Sequence, residues 1–297
     1  MRLHSVWSVG VIATLLLSSS ASGQEKGAEI KYKFHKGDVL KYDVTSTLEA
    51  TQVGTHPSFL TNGNDRPLSW TVNGSFENKV IEVNEADGTA QLERHVKSIS
   101  SSGHVQDEKF KYSWSEEKDK TKPDENKLTS LMDRYIANMI VNPAKYSVDA
   151  EGKATFQYPD MGRLVMRRGM MFWPIKPSEM SWMTGEEIAL PVLHDKIKLE
   201  FKNTVTQDAT RTGFKVRVIT APVSMKSAEK TPGFGFENLT FNVSGQAKAE
   251  FDMTNGRLYK LELNLRIQFS GKAQVADGGE GDIKGVATYT ETQVYKD

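Results

Sequence analysis

Five histidines follow residue 23: His35, His56, His95, His104 and His194. None stands at the HxH, HxxxH or helical HExxH spacing that sets two imidazoles on one metal. His95 and His104 flank an SSSG run, which reads as a hairpin turn, but His95 has the opposite parity from Leu92 and Val96 and should face water. Nucleophilic serine chemistry needs a strained elbow, a positioned base and an oxyanion hole. The chain has no GxSxG, and Ser244-Gly245 lies inside a long alternating strand. No GxGxxG or GxxxxGK[ST] cradle for phosphate occurs, and the GFGF of Gly233 to Phe236 stands without a following helix. The carboxylate pairs Glu116-Glu117 and Glu186-Glu187 are sequence neighbours and read as surface charge. With no cysteine, thiolate metal sites, iron–sulfur clusters, thiol nucleophiles and disulfides are excluded together. The sequence assigns no catalytic residue, no metal ligand and no cofactor.

One stretch points to binding. MGRLVMRRGMMFWPIKPSEMSWM, Met161 to Met183, holds six of the eleven methionines and two of the five tryptophans. Methionine adapts to irregular apolar contacts, and tryptophan suits a site apolar on one side and wet on the other. Pro174, Pro177 and Pro191 exclude regular helix and central strand around it. The candidate ligand-binding residues are therefore Met166, Met170, Met171, Phe172, Trp173, Met180, Trp182 and Met183, as a lid over an apolar pocket. Plain core and a partner-docking patch are the competing readings.

The elements that must position this stretch are mostly strands. In VLKYDVTSTLEATQV, Leu40, Tyr42, Val44, Leu48 and Ala50 share one face, with charged and hydroxyl residues on the other. The apolar parity of PLSWTVNGSFENKV switches after Val80, which predicts a bulge there. Asp87-Gly88 and Asn255-Gly256 mark tight turns. Alternation continues through Phe241–Met253 and Leu261–Phe269, with further strands expected at Ile30–Phe34, Thr89–Ile99, His104–Trp114, Ala144–Val148, Ala154–Tyr158, Lys196–Thr206, Phe214–Thr220 and Gly285–Val294. One segment has helical spacing instead: Leu128, Leu131, Met132, Tyr135, Ile136, Met139 and Ile140 in residues 123–143, stopped by Asn142-Pro143. The expected fold is mainly β, formally α+β: a large curved antiparallel sheet or half-barrel with one prominent amphipathic helix packed on it.

The first residues read as a secretory signal peptide, residues 1–23. Arg2 precedes an apolar run, Val9 to Leu17, well short of the ~20 residues of a membrane span, and small residues lead to a cleavage position after Gly23. Residues 24–297 then form a single β-rich domain, with a division into two lobes near 145 kept open. Lys and Arg balance Asp and Glu at 38 each, so no global field favours nucleic acid. Arg163, Arg167 and Arg168 form one small basic cluster, read as a solvated loop. No later apolar run reaches spanning length, so the mature chain is expected without a transmembrane segment.

Four stretches carry a resemblance. FHKGDVLKY, VNEADGTA, FWPIKPSEMSWMTGEE and FDMTNGRL resemble the F-x-x-G-[DE]-x-x-x-Y strand, V-x-x-x-DG-x-A hairpin, Pro-rich Gly-acid segment and F-D-x-x-x-G-R-L hairpin of a loosely defined set of exported bacterial β-rich proteins of unknown function. The matches spread from about Phe34 to Phe269 and mostly describe turns. This chain departs at Ile188, where such proteins often carry tryptophan. The resemblance implies an outline similar to periplasmic lipoprotein-carrier folds, which hold acyl chains against a concave face, and it transfers no site residue. The expectation is an exported protein of the periplasm or extracellular space, non-enzymatic, binding a lipid or other apolar or amphiphilic ligand or a cell-envelope partner. The alternatives are an interaction module with a sealed core, and an outer-membrane β-barrel.

Overall fold

The structure is a computed structural model. It describes residues 30–54, 66–105, 108–117, 144–156, 173–176, 178–189, 196–211, 213–229, 240–274 and 280–297. Twelve strands form one sheet. They are β1 (Val39–Gly54), β2 (Arg66–Val83), β3 (Ala90–Val105), β4 (Glu108–Ser115), β5 (Ala144–Val148), β6 (Ala154–Phe156), β7 (Ser181–Ala189), β8 (Lys196–Arg211), β9 (Phe214–Glu229), β10 (Thr240–Asp252), β11 (Arg257–Gln274) and β12 (Glu280–Lys296). The order across the sheet is β6-β5-β3-β2-β1-β12-β11-β10-β9-β8-β7, and β4 shares the outer edge of β3 with β5. Every pairing is antiparallel. The chain starts mid-sheet at β1 and winds outward to β6. It resumes at the opposite edge with β7 and returns to the middle, where β12 zips against β1 from Lys41–Lys296 to Gly54–Ile283.

Strand accounts for 79% of the structure, and no helix occurs among the described residues. The α+β expectation is therefore corrected to all-β. The 123–143 segment that carried the helix reading lies outside the described residues. Among the described residues, two extended segments, 30–34 and 173–176, cover the apolar face at one end of the sheet. Ile30–Phe34, expected as a strand, joins no ladder. Its burial still alternates, with Ile30, Tyr32 and Phe34 inward and Lys31, Lys33 and His35 exposed.

The turns follow the sequence chemistry. At Asn255-Gly256 the Asp252 carboxylate accepts from the backbone N–H groups of Thr254 and Asn255 at 2.9 and 3.0 Å, and β10 pairs with β11 around it. The β2–β3 register shifts between Val80 and Glu82, where the parity switch placed a bulge. The SSSG turn does not form. Ser100 to Gly103 continue β3, paired to β2 on one side and β4 on the other, because two flanking ladders outweigh a local preference for turns.

One face of the sheet is mainly apolar. It carries Leu40, Tyr42 and Val44 on β1, Val72 and Phe76 on β2, Leu199 and Phe201 on β8, Phe241 to Phe251 at alternate positions on β10, and Leu261 to Ile267 likewise on β11. This inner face gathers residues from both edges into one cluster, from Tyr146 and Val148 on β5 to Trp182 on β7. The opposite face exposes Lys41, Thr45, Glu49, Asn73 and Lys79.

Candidate functional site

The two ends of the inner face are built differently. At the end holding the β10–β11 turn, the segment 30–34 is clamped between two hairpins. The Tyr32 N–H donates to the Ala150 carbonyl and that of Lys33 to the Gly256 carbonyl, both at 2.9 Å. Glycine is required at both contacts. Gly152 and Gly256 have φ of +80° and +63°, and a Cβ would lie 2.4 Å from the Tyr32 ring in the first case and 2.8 Å from the Lys31 carbonyl oxygen in the second. The Tyr32 ring meets Phe251 edge-on at 5.1 Å. Its hydroxyl donates to the Trp173 carbonyl and accepts from the Trp173 N–H. The Ile175 N–H donates to the Glu151 carbonyl. Residues 173–176 thus tie the β5–β6 turn to the β7–β8 edge, and the curved sheet is closed at this end.

Trp173 and Trp182 belong to that closure. Both are buried. The Trp173 indole N–H donates to Asn203 Oδ1 at 2.9 Å and that of Trp182 to the Pro174 carbonyl at 3.2 Å. Asn203, wholly buried, donates in turn to Thr184 Oγ1 at 2.9 Å. Leu40, Phe241 and Leu263 lie in the same contiguous cluster as the two tryptophans. Met180 and Met183 are exposed. Met166, Met170, Met171 and Phe172 lie outside the described residues.

Toward the other end the cover is uneven, with Phe241 and Val243 on β10 buried. Leu48, Ala50, Trp70, Phe269 and Tyr289 are only half-buried. Gly103 and Gly245 bring no side chain to it. Between the two ends lies a polar group that the alternation pattern passed over. Glu291 and Gln293 on β12 and Ser46 on β1 occupy inward positions, all buried. Ser46 stands directly across the ladder from Glu291, and Leu48 from Tyr289. The Tyr289 hydroxyl donates to Glu291 Oε2 and the Gln293 side-chain N–H to Oε1. Ser46 Oγ has no hydrogen-bond partner, and the same is true of the Tyr42 hydroxyl deeper in. Burial first, then the neighbouring Tyr32, Tyr146 and Tyr295, pushes Tyr42 well above the ordinary tyrosine range, so it keeps its proton. The signal for this group was available: polar residues at positions whose parity is otherwise apolar.

Two arginines fork onto carboxylates. Arg211 forks onto both Glu250 oxygens at 2.9 and 2.6 Å. Arg217 does the same to Asp208 at 2.8 and 3.0 Å. Each fork holds its carboxyl below the ordinary range. An open cleft of about 450 Å³ lies over the outer side of β1 to β4, lined by Asp43, Thr45, Asn73, Ser75 and Ser100 among others. Its groups already satisfy one another, Thr45 with Asn73 and Ser75 with Asp43. His95 pairs with Glu93 at 2.9 Å and His35 with Asp38 at 3.2 Å. Among the described residues no three His, Cys, Asp or Glu side chains converge as a metal site would need, and no helix is long and apolar enough to cross a membrane.

No family model matches the chain, and no curated protein does. Two solved structures are similar in outline. Lipovitellin, from a study of its lipid–protein interactions, is 11% identical with a TM-score of 0.49 over 89% of this chain and 26% of its own. This chain thus spans about a quarter of that protein. An outer-membrane channel from Pseudomonas putida F1 is 9% identical with a TM-score of 0.23 over 91% of this chain and 98% of its own.

Proposed function

We propose that the protein is exported by its first 23 residues and, in the periplasm or outside the cell, binds an apolar or amphiphilic ligand against the inner face of its curved sheet. The observation that supports this reading is the unequal cover of that face. One end is sealed by extended segments, while Leu48, Trp70, Phe269 and Tyr289 at the other stay half-exposed. Apolar surface left wet on a folded protein is a place where an apolar guest gains about 25 cal/mol per Å² covered. The outward positions carry Lys41, Thr45, Glu49 and Lys79, the reverse of a membrane barrel, whose apolar band faces out. Contact between Trp173, Trp182 and the rest of the core favours a second reading, an interaction module with no ligand.

Native mass spectrometry separates the two. Protein beginning at Gln24, purified from an envelope fraction without detergent, is expected to carry a discrete excess mass that extracts into organic solvent. A bare polypeptide mass that stays unchanged after lipid challenge would leave the interaction module as the reading.

A further inference from the structure

We infer that Glu291, with Ser46 opposite it, is the polar anchor of the inner face, and that the ligand held there is an amphiphile whose head donates hydrogen bonds: a hydroxyl or an ammonium, not a carboxylate. The inference rests on the ligand-binding reading and specifies its substrate class.

Three observations carry it. Glu291 is a buried carboxylate on a mainly apolar face, and both oxygens already act as acceptors, from Tyr289 and Gln293. Acceptor-only chemistry with lone pairs to spare calls for further donors. Next to it Ser46 Oγ, 2% exposed, has no partner at all, and buried hydroxyls left unpaired are rare enough to need a reason. Finally, no cation comes within ion-pair reach of Glu291 among the described residues. Arg211 is forked onto Glu250 on the outward face, and Arg217 onto Asp208. The inward Arg94 lies over the Phe76 ring. It stands across from Asn78, whose β1 partner is Leu40, six residues and roughly 20 Å along the strand from Ser46. A buried charge without a partner is costly, and a ligand ammonium or hydroxyl would relieve that cost where a carboxylate would add to it.

The surroundings give the head a tail path. From the Glu291 row toward the open end, the inward positions run through Leu48, Leu265, Ala50, Ile267 and Phe269, an apolar track of roughly 20 Å along β11.

The test is competition of dodecanol, dodecylamine and dodecanoate against a fluorescent naphthylamine probe, on protein from Gln24 onward, below the solubility limit of dodecanol and the micelle concentrations of the other two. Dodecanol and dodecylamine are expected to displace the probe at least tenfold more tightly than dodecanoate. Glu291→Leu should erase that preference, with some loss of melting temperature because it leaves the Tyr289 and Gln293 donors unpaired. Glu291→Gln should remove only the advantage of the amine over the alcohol. Ser46→Ala, which removes an unpartnered hydroxyl from the unliganded protein, should weaken both donor-headed ligands severalfold and serves if the Glu291 variants do not fold. Equal or tighter binding of dodecanoate, or an unchanged preference in Glu291→Leu, overturns the anchor while the apolar-ligand reading stands. If none of the three binds, both fall.

Discussion

The closed and open ends of the inner face are made of the same strands, yet they are stabilised in different ways. At the closed end Phe251, Leu258 and Val148 are wholly buried, and the main chain of 30–34 and 173–176 is hydrogen-bonded to hairpins from both halves of the sheet. At the open end Leu48, Trp70, Phe269 and Tyr289 are only half-buried, although Phe241 across the ladder from Phe269 is buried. Stability is concentrated where the sheet is stapled. The less covered end is free to serve something else, as low-stability regions of binding proteins generally do.

Truncating one phenylalanine at each end is the strongest way to break that contrast. Phe251→Ala should cost about 3–5 kcal/mol by leaving a cavity under Tyr32. Phe269→Ala should cost about 1–2 kcal/mol, since part of that ring is already in water. Urea denaturation of the two variants measures both, and equal losses would mean the two ends are equally packed.

The polar groups sharpen it next. Asn203→Ala strands the Trp173 indole N–H and is expected to cost about 1–3 kcal/mol. Tyr146→Phe, which removes the donor to Asn78 at 2.8 Å, should cost about 1 kcal/mol. Ser46→Ala, by contrast, removes no hydrogen bond and should stay within about 0.5 kcal/mol of the parent. A large loss in Ser46→Ala would show that its hydroxyl has a structural partner after all.

Much of this architecture could be read from alternation. Asn255-Gly256 and Asp87-Gly88 gave their hairpins because tight turns need particular residues, and the parity switch after Val80 gave its bulge. The SSSG run misled because serine and glycine also fill strand positions when a ladder on each side holds them, and the Trp70 indole N–H reaches Ser101 at 2.7 Å across that ladder. The stapling of 30–34 was not legible. It depends on two hairpins distant in sequence meeting one extended segment, and no local pattern encodes that. The polar anchor was half-legible. Ser46, Glu291 and Gln293 each break an apolar parity, but only the β1–β12 register sets Ser46 and Glu291 side by side.

The smallest expected effect compares two buried glutamates. Glu250 and Glu291 are both buried, but Glu250 has the Arg211 fork, and no cation pairs with Glu291 among the described residues. The fork, outweighing the opposing effect of burial, lowers the carboxyl of Glu250 in the folded protein. A depressed carboxylate contributes stability that is fully present above its unfolded value, near 4.3, and is lost as pH falls through the lower folded value. The gap in melting temperature between the parent and Glu250→Gln should therefore be widest near neutral pH and close as the pH is taken below about 4. Because Arg211 is 40% exposed, high salt should narrow the same gap. A gap for Glu250→Gln that stays constant with pH and salt would mean its fork is not formed, and the two carboxylates would then differ only in the face they occupy.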